Sequence, residues 1–146
     1  MNPHDNMVLE SLDHSYLFFK SKLISASTEE VWVAALDSNC RVISSAMLFK
    51  GTINYCLFHP RDILRFAIIH NAVFIILAHN HPSNECLPSS NDIDNTKDLY
   101  FLSKLMQIPL LDHLIITDND CFSFKDKKFL DEWDNDFLNS DLFAWK

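Results

Sequence analysis

Apolar residues change their period several times along this chain, and each change marks an element. Over residues 8–24, Leu9, Leu12, Tyr16, Phe19 and Leu23 recur at spacings of three and four, the stripe of an amphipathic helix. After a polar break at 25–30, the buried run 31–36 reads as a strand. Turn residues Asp37-Ser38-Asn39 join it to a second strand over 41–50, so the two form a hairpin. A short extended piece follows at 55–58. Pro60 then suits the first turn of a helix running to about His70, with Ile63, Leu64, Ala67 and Ile68 on its core face. The β-branched run 73–78 reads as a central strand covered on both faces. Residues 88–92 predict a helix start. Ile93, Thr96, Leu99, Leu102, Leu105 and Met106 carry that helix to about Gln107, and 110–117 with 121–124 predict a last hairpin. The order β-β-α-β-α-β-β predicts an α/β sandwich with a mixed sheet and helices on its faces. Beyond it, Phe129, Trp133 and Phe137 recur every four residues, with Leu130, Leu138 and Leu142 alongside, between Asp131, Glu132, Asp134, Asp136 and Asp141, an acidic amphipathic helix that either packs on its own domain or docks on a partner.

Composition narrows the function. A chain of 146 residues that is 48% hydrophobic can bury one core, so the chemistry belongs to a single domain. A formal charge of −8 repels a phosphate backbone, which argues against nucleic acid as a partner. The longest apolar run, 72–78, is far shorter than the ~20 residues of a membrane helix. Residues 1–26 mix charges into their apolar positions, so no secretory leader is expected and the reading is a cytoplasmic protein. Cys40, Cys56, Cys86 and Cys121 lie far apart with no paired spacing, as free thiols do in a reducing compartment. One glycine, Gly51, serves the whole chain, so its turns must lean on Asn, Asp, Ser and Pro.

The candidate chemistry runs from His79 to Asp92. His79 and His81 are two apart at the end of the most buried strand, so both imidazoles point to one side. Asp92, at the start of the next helix, can be folded back against them. Two neutral imidazoles and a carboxylate form a common catalytic zinc set that leaves a position for water. The spacing alone leaves open a chance surface histidine pair and an aspartate that favours a helix N-terminus.

The wording of the stretch is more specific. His79-Asn80-His81-Pro82-Ser83, followed by Pro88-Ser89-x-x-Asp92, resembles the metal-binding signature of the JAMM (MPN+) metallopeptidases, H-x-H, seven residues, Ser, two residues, Asp. Phe49-Lys50-Gly51-Thr52, His59-Pro60-Arg61-Asp62, Asn71-Ala72 and Ile108-Pro109-Leu110-Leu111-Asp112-His113-Leu114-Ile115 are similar to the RadC-like branch, so the resemblance spans about residues 30–125. It implies an α/β, three-layer cytidine-deaminase-like (JAB/MPN) fold. It also implies a zinc that activates water against a peptide or isopeptide carbonyl, with His79, His81 and Asp92 as ligands and Ser89 stabilising the oxyanion. From the residues alone Ser89 is equally a helix N-cap, and the two roles are compatible.

The chain departs from that pattern where the resemblance puts the general-base glutamate, on the strand before the Gly-Thr pair. Ala46 or, with a slip of one residue, Met47 stands there, and no Asp or Glu occurs between Asp37 and Asp62. Glu85 is the nearest spare carboxylate in sequence, with Glu29 and Glu30 as outside candidates. Asn84 replaces a usual glycine, and asparagine tolerates positive φ. His113 reads as a structural histidine or as a hydrogen-bond partner of a ligand, and Arg61 as structural. The sequence therefore divides into a flanking helix (1–25), a RadC-like JAB/MPN domain (26–125) and an acidic helix (126–146). Two functions follow: a zinc-dependent hydrolase of peptide or isopeptide bonds, or an impaired MPN-fold module that binds a protein. Either is compatible with a homo-oligomer.

Overall fold

Four helices and five strands make up a computed structural model that describes residues 6–23, 26–51 and 58–141. They are α1 (Leu12–Leu23), β1 (Glu30–Leu36), β2 (Val42–Lys50), α2 (Pro60–Ile69), β3 (Phe74–Asn80), α3 (Ser90–Leu105), β4 (Leu110–Ile116), β5 (Cys121–Ser123) and α4 (Phe129–Leu138). The sheet order is β2-β1-β3-β4-β5, antiparallel throughout except for the parallel pair β3–β4. Thus β1 lies between its hairpin partner β2 and the central β3. The result is the α/β architecture expected of a JAB/MPN fold. The extended piece expected at 55–58 falls outside the described residues except for Phe58, which is buried.

Strand alternation divides the core into two layers. Val31, Val33, Ile75, Leu77 and Ile115 pack with α2, α3 and α4. Ala34, Leu36, Ile76, Ala78 and Leu114 pack with Phe18, Phe19 and Leu23 of α1. The N-terminal helix is therefore one face of the core. It starts later than its stripe suggests, because the Ser11 hydroxyl accepts the His14 N–H and Val8 bridges to Arg41. Leu9 remains buried, but outside the helix.

Two further elements differ from expectation. β3 continues through His79 and Asn80, because both keep their ladder partners, Val31 and Ile115 for His79 and Ile116 for Asn80. On α3, Leu102 and Leu105 are exposed, as is Met106 just past its end, while Thr96, Leu99, Tyr100 and Ser103 are buried. The polar members of that face are satisfied: Tyr100 bonds Asp134 of α4, and Ser103 Oγ accepts from Leu110 N. The acidic C-terminal helix packs on its own domain. Trp133 sits 5.8 Å from the rings of both Tyr100 and Phe124, whereas Leu138 is exposed and Leu142 lies outside the described residues. No helix among the described residues is long and apolar enough to cross a membrane.

Candidate metal centre

His79 leaves the end of β3 on the face that α3 covers, and His81 follows one residue after the strand. Their Nε2 atoms are 3.0 Å apart. Asp92 reaches them from the first turn of α3, with Oδ2 3.1 Å from His81 Nε2 and Oδ1 3.5 Å from His79 Nε2. What holds Asp92 there is a capping box. Ser89 Oγ accepts the Asp92 N–H, while Asp92 Oδ2 accepts the Ser89 N–H at 2.9 Å. The N-cap reading of Ser89 is therefore realised, and the same box orients the carboxylate.

A second carboxylate stands in the cluster. Glu29, 7% exposed, places Oε1 3.7 Å from His79 Nε2 and 3.6 Å from His81 Nε2. One ligand atom from each of Glu29, His79, His81 and Asp92 lies within 4.8 Å of every other. The strand position where the resemblance puts a glutamate is elsewhere, since Ala46 faces Val33 across the β1–β2 ladder and Met47 is exposed. Glu85 contributes only its main chain, its carbonyl lying 2.7 Å from His81 Nδ1, and its side chain is exposed. The second carboxylate of the cluster thus comes from the residue preceding β1. The signal lay in the pairing of β1 with β3: with Val31 opposite His79, continuing the antiparallel register puts Glu29 level with His81. Asn80 secures the approach, its Oδ1 accepting the Glu30 N–H and its Nδ2 donating to the Thr28 carbonyl.

Charge at the site follows from these contacts. Burial works against ionising Asp92, but protonated His79 and His81 imidazoles facing it outweigh burial and hold its pKa far below the carboxylate range, a place that a metal cation takes over when the rings are neutral. For His81 burial opposes protonation, and the Asp92 carboxylate with the Glu85 carbonyl overcomes it, raising the imidazole above its ordinary value. His113 is fully buried between the stacked ring of Phe124 and His79. Burial, then the neighbouring His79, pushes its pKa well down, so it is neutral. His113 Nε2 lies 2.6 Å from His79 Nδ1, so it is the partner of a candidate ligand, one of the two roles its sequence context offered. Arg61 is exposed on α2. Asn84, in the loop between the ligands, has φ of 64°, the conformation its replacement of glycine requires.

The donor set suits a divalent metal. A carbonyl oxygen only accepts, so in the neutral form of His81, the form that ligates a metal, the Glu85 carbonyl keeps the proton on Nδ1 and the Nε2 lone pair faces the cluster. That lone pair confronts two carboxylates, an array of acceptors that a cation satisfies. A polar cleft of about 180 Å³ opens beside His81, where Lys20 Nζ donates to the Thr117 and Asp118 carbonyls.

The sequence profile of the RadC-like JAB domain matches residues 9–129, which includes all four of these residues. The chain belongs to the RadC-like JAB domain family. A UPF0758 protein of Actinobacillus pleuropneumoniae is 39% identical over 125 residues, covering 84% of this chain and 57% of that protein. One of Finegoldia magna is 38% identical over 121 residues, covering 83% and 54%. A third, of Clostridium perfringens, is 48% identical over 95 residues, covering 65% and 42%. This RadC-like chain spans about half the length of the curated relatives it matches. The match begins at Leu9, so in this family member α1 lies inside the recognised domain.

Proposed function

We propose that this RadC-like domain is a metal-dependent hydrolase of peptide or isopeptide bonds, acting in the cytoplasm, with zinc held by His79, His81 and Asp92 and Glu29 as general base. The observation that carries the reading is the placement of Glu29 beside the three residues of the signature. Hydrolysis needs ligands and, next to them, a carboxylate able to take a proton. When bound, zinc supplies Lewis-acid polarisation of the scissile carbonyl and acidifies water toward neutral pH. Glu29 accepts the proton of the attacking water at its carboxylate and returns it to the departing amide nitrogen. Asp92, pinned by the capping box, fixes the position of its carboxylate without cost at the moment of reaction. Ser89 Oγ spends only a lone pair on the cap, so its O–H is available to the developing oxyanion.

The reading as a protein-binding module rested on the lack of any carboxylate between Asp37 and Asp62, and Glu29 removes that support. Two variants test the proposal. Metal analysis of purified wild-type protein should find zinc that a His79→Ala, His81→Ala double variant lacks. Glu29→Gln should keep the zinc while hydrolysis of isopeptide-linked and linear peptide substrates falls about 10²–10⁴-fold. Loss of metal in Glu29→Gln would make Glu29 a fourth ligand of a closed structural site. Absence of zinc from the wild type, or activity unchanged in Glu29→Gln, rejects the mechanism.

A further inference from the structure

A hydrogen-bond circuit runs behind the site from α3 to β3 and back. Thr96 Oγ1 is 2.6 Å from the Asp92 carbonyl oxygen and 2.8 Å from His113 Nδ1. His113 Nε2 is 2.6 Å from His79 Nδ1. Thr96, His79 and His113 are all buried, so water does not compete for these bonds.

We infer that Thr96 and His113 are positioning residues that fix the tautomer of His79, so that its Nε2 lone pair faces the cluster before any metal arrives; this rests on the metal-centre reading above. The direction of the circuit follows from counting hydrogens. The Asp92 carbonyl has none to offer, and two oxygens 2.6 Å apart need one between them, so the single hydrogen of the Thr96 hydroxyl lies there. Thr96 Oγ1 therefore faces His113 with a lone pair, and His113 Nδ1 must carry the N–H. A neutral imidazole has only one such proton, so His113 Nε2 is an acceptor and the hydrogen between the two rings belongs to His79 Nδ1. In neutral His79 that leaves Nε2 unprotonated, 3.0 Å from His81 Nε2. The terminal acceptor is the main chain of Asp92, whose side chain forms another part of the cluster. One residue thus anchors both the carboxylate and, through Thr96 and His113, the ring state of the opposite imidazole. Hydrogen bonds of this kind behind a ligating histidine set ring orientation and raise ligand basicity.

Histidine two-bond ¹H–¹⁵N spectra of the metal-free wild-type protein read the tautomers directly. The expected pattern is Nδ1–H on His79, His81 and His113, and an Nε2–H on His79 or His113 overturns the inference. Zinc affinity measured by chelator competition supplies a second readout. Thr96→Val, which keeps the shape and removes the hydroxyl, should lose about 10–100-fold, whereas Thr96→Ser should stay near wild type. A Thr96→Val protein with unchanged affinity and unchanged His79 spectrum refutes the role, as does equal loss in Thr96→Ser. Because the spectra need no metal, a wild-type protein with the expected tautomers but no zinc uptake would reject the proposed function and leave this inference standing.

Discussion

Gln107 has φ of 60° and closes α3. Its N–H bonds the Lys104 carbonyl, and the Ile108 N–H bonds that of Ser103, a pairing that usually takes glycine. Asn71 at the end of α2 and Lys128 before α4 make the same two-bond closure with φ of 52° and 68°. A chain with one glycine has placed side chains where a Cβ crowds the backbone. Gln107 is exposed, so Gln107→Gly should raise stability by about 0.5–1 kcal/mol in urea denaturation. Asn71→Gly should gain less, because asparagine already tolerates this conformation. Equal gains at both positions would show that the crowding argument is wrong.

At the scale of elements, α4 is held to α3 by Tyr100 and Lys104, both on Asp134, by Lys97 on Asp136, and by Trp133 against Tyr100 and Phe124. Burial and then the Asp134 carboxylate push the Tyr100 phenol well above its ordinary range. A raised folded-state pKa contributes stability that is complete below the unfolded value, about 10, and is lost as pH rises through the folded one. Thermal melts should therefore show wild-type stability declining from about pH 10 upward, and Tyr100→Phe should flatten that decline. An equal decline in Tyr100→Phe would place the alkaline sensitivity elsewhere. These elements were largely legible beforehand, because each apolar run has its own period and a polar break on either side. So were His79, His81 and Asp92, which one strand end and one helix start supply. Glu29 was not. Sequence shows that β1 and β2 form a hairpin but not which edge of it β3 joins, and only that pairing brings Glu29 level with His81. The face of α3 also misled, since apolar Leu102 and Leu105 face outward while Tyr100 and Ser103 turn inward to polar partners.

For the whole molecule, α1 seals one side of the sheet and three helices the other, so the candidate centre sits where β3 emerges between two closed cores. A ligand that binds only the folded state stabilises it by mass action. Zinc at about 100 times its Kd should therefore raise Tm by roughly 5–10 °C. The same addition to His79→Ala should leave Tm unmoved, and an equal shift there would locate the effect at other residues. The pairing of β1 with β3 adds a consequence for the time course of folding. Glu29 and His81 are brought level only by a ladder that closes over the whole of β2 and α2, so the full set of four side chains is assembled late on the way to the native state. A site absent from the transition state alters escape from the native basin and not entry to it. Stopped-flow chevrons should accordingly show zinc lowering the unfolding limb while the refolding limb stays in place. Acceleration of refolding would mean that the metal gathers its ligands first and the sheet forms around it.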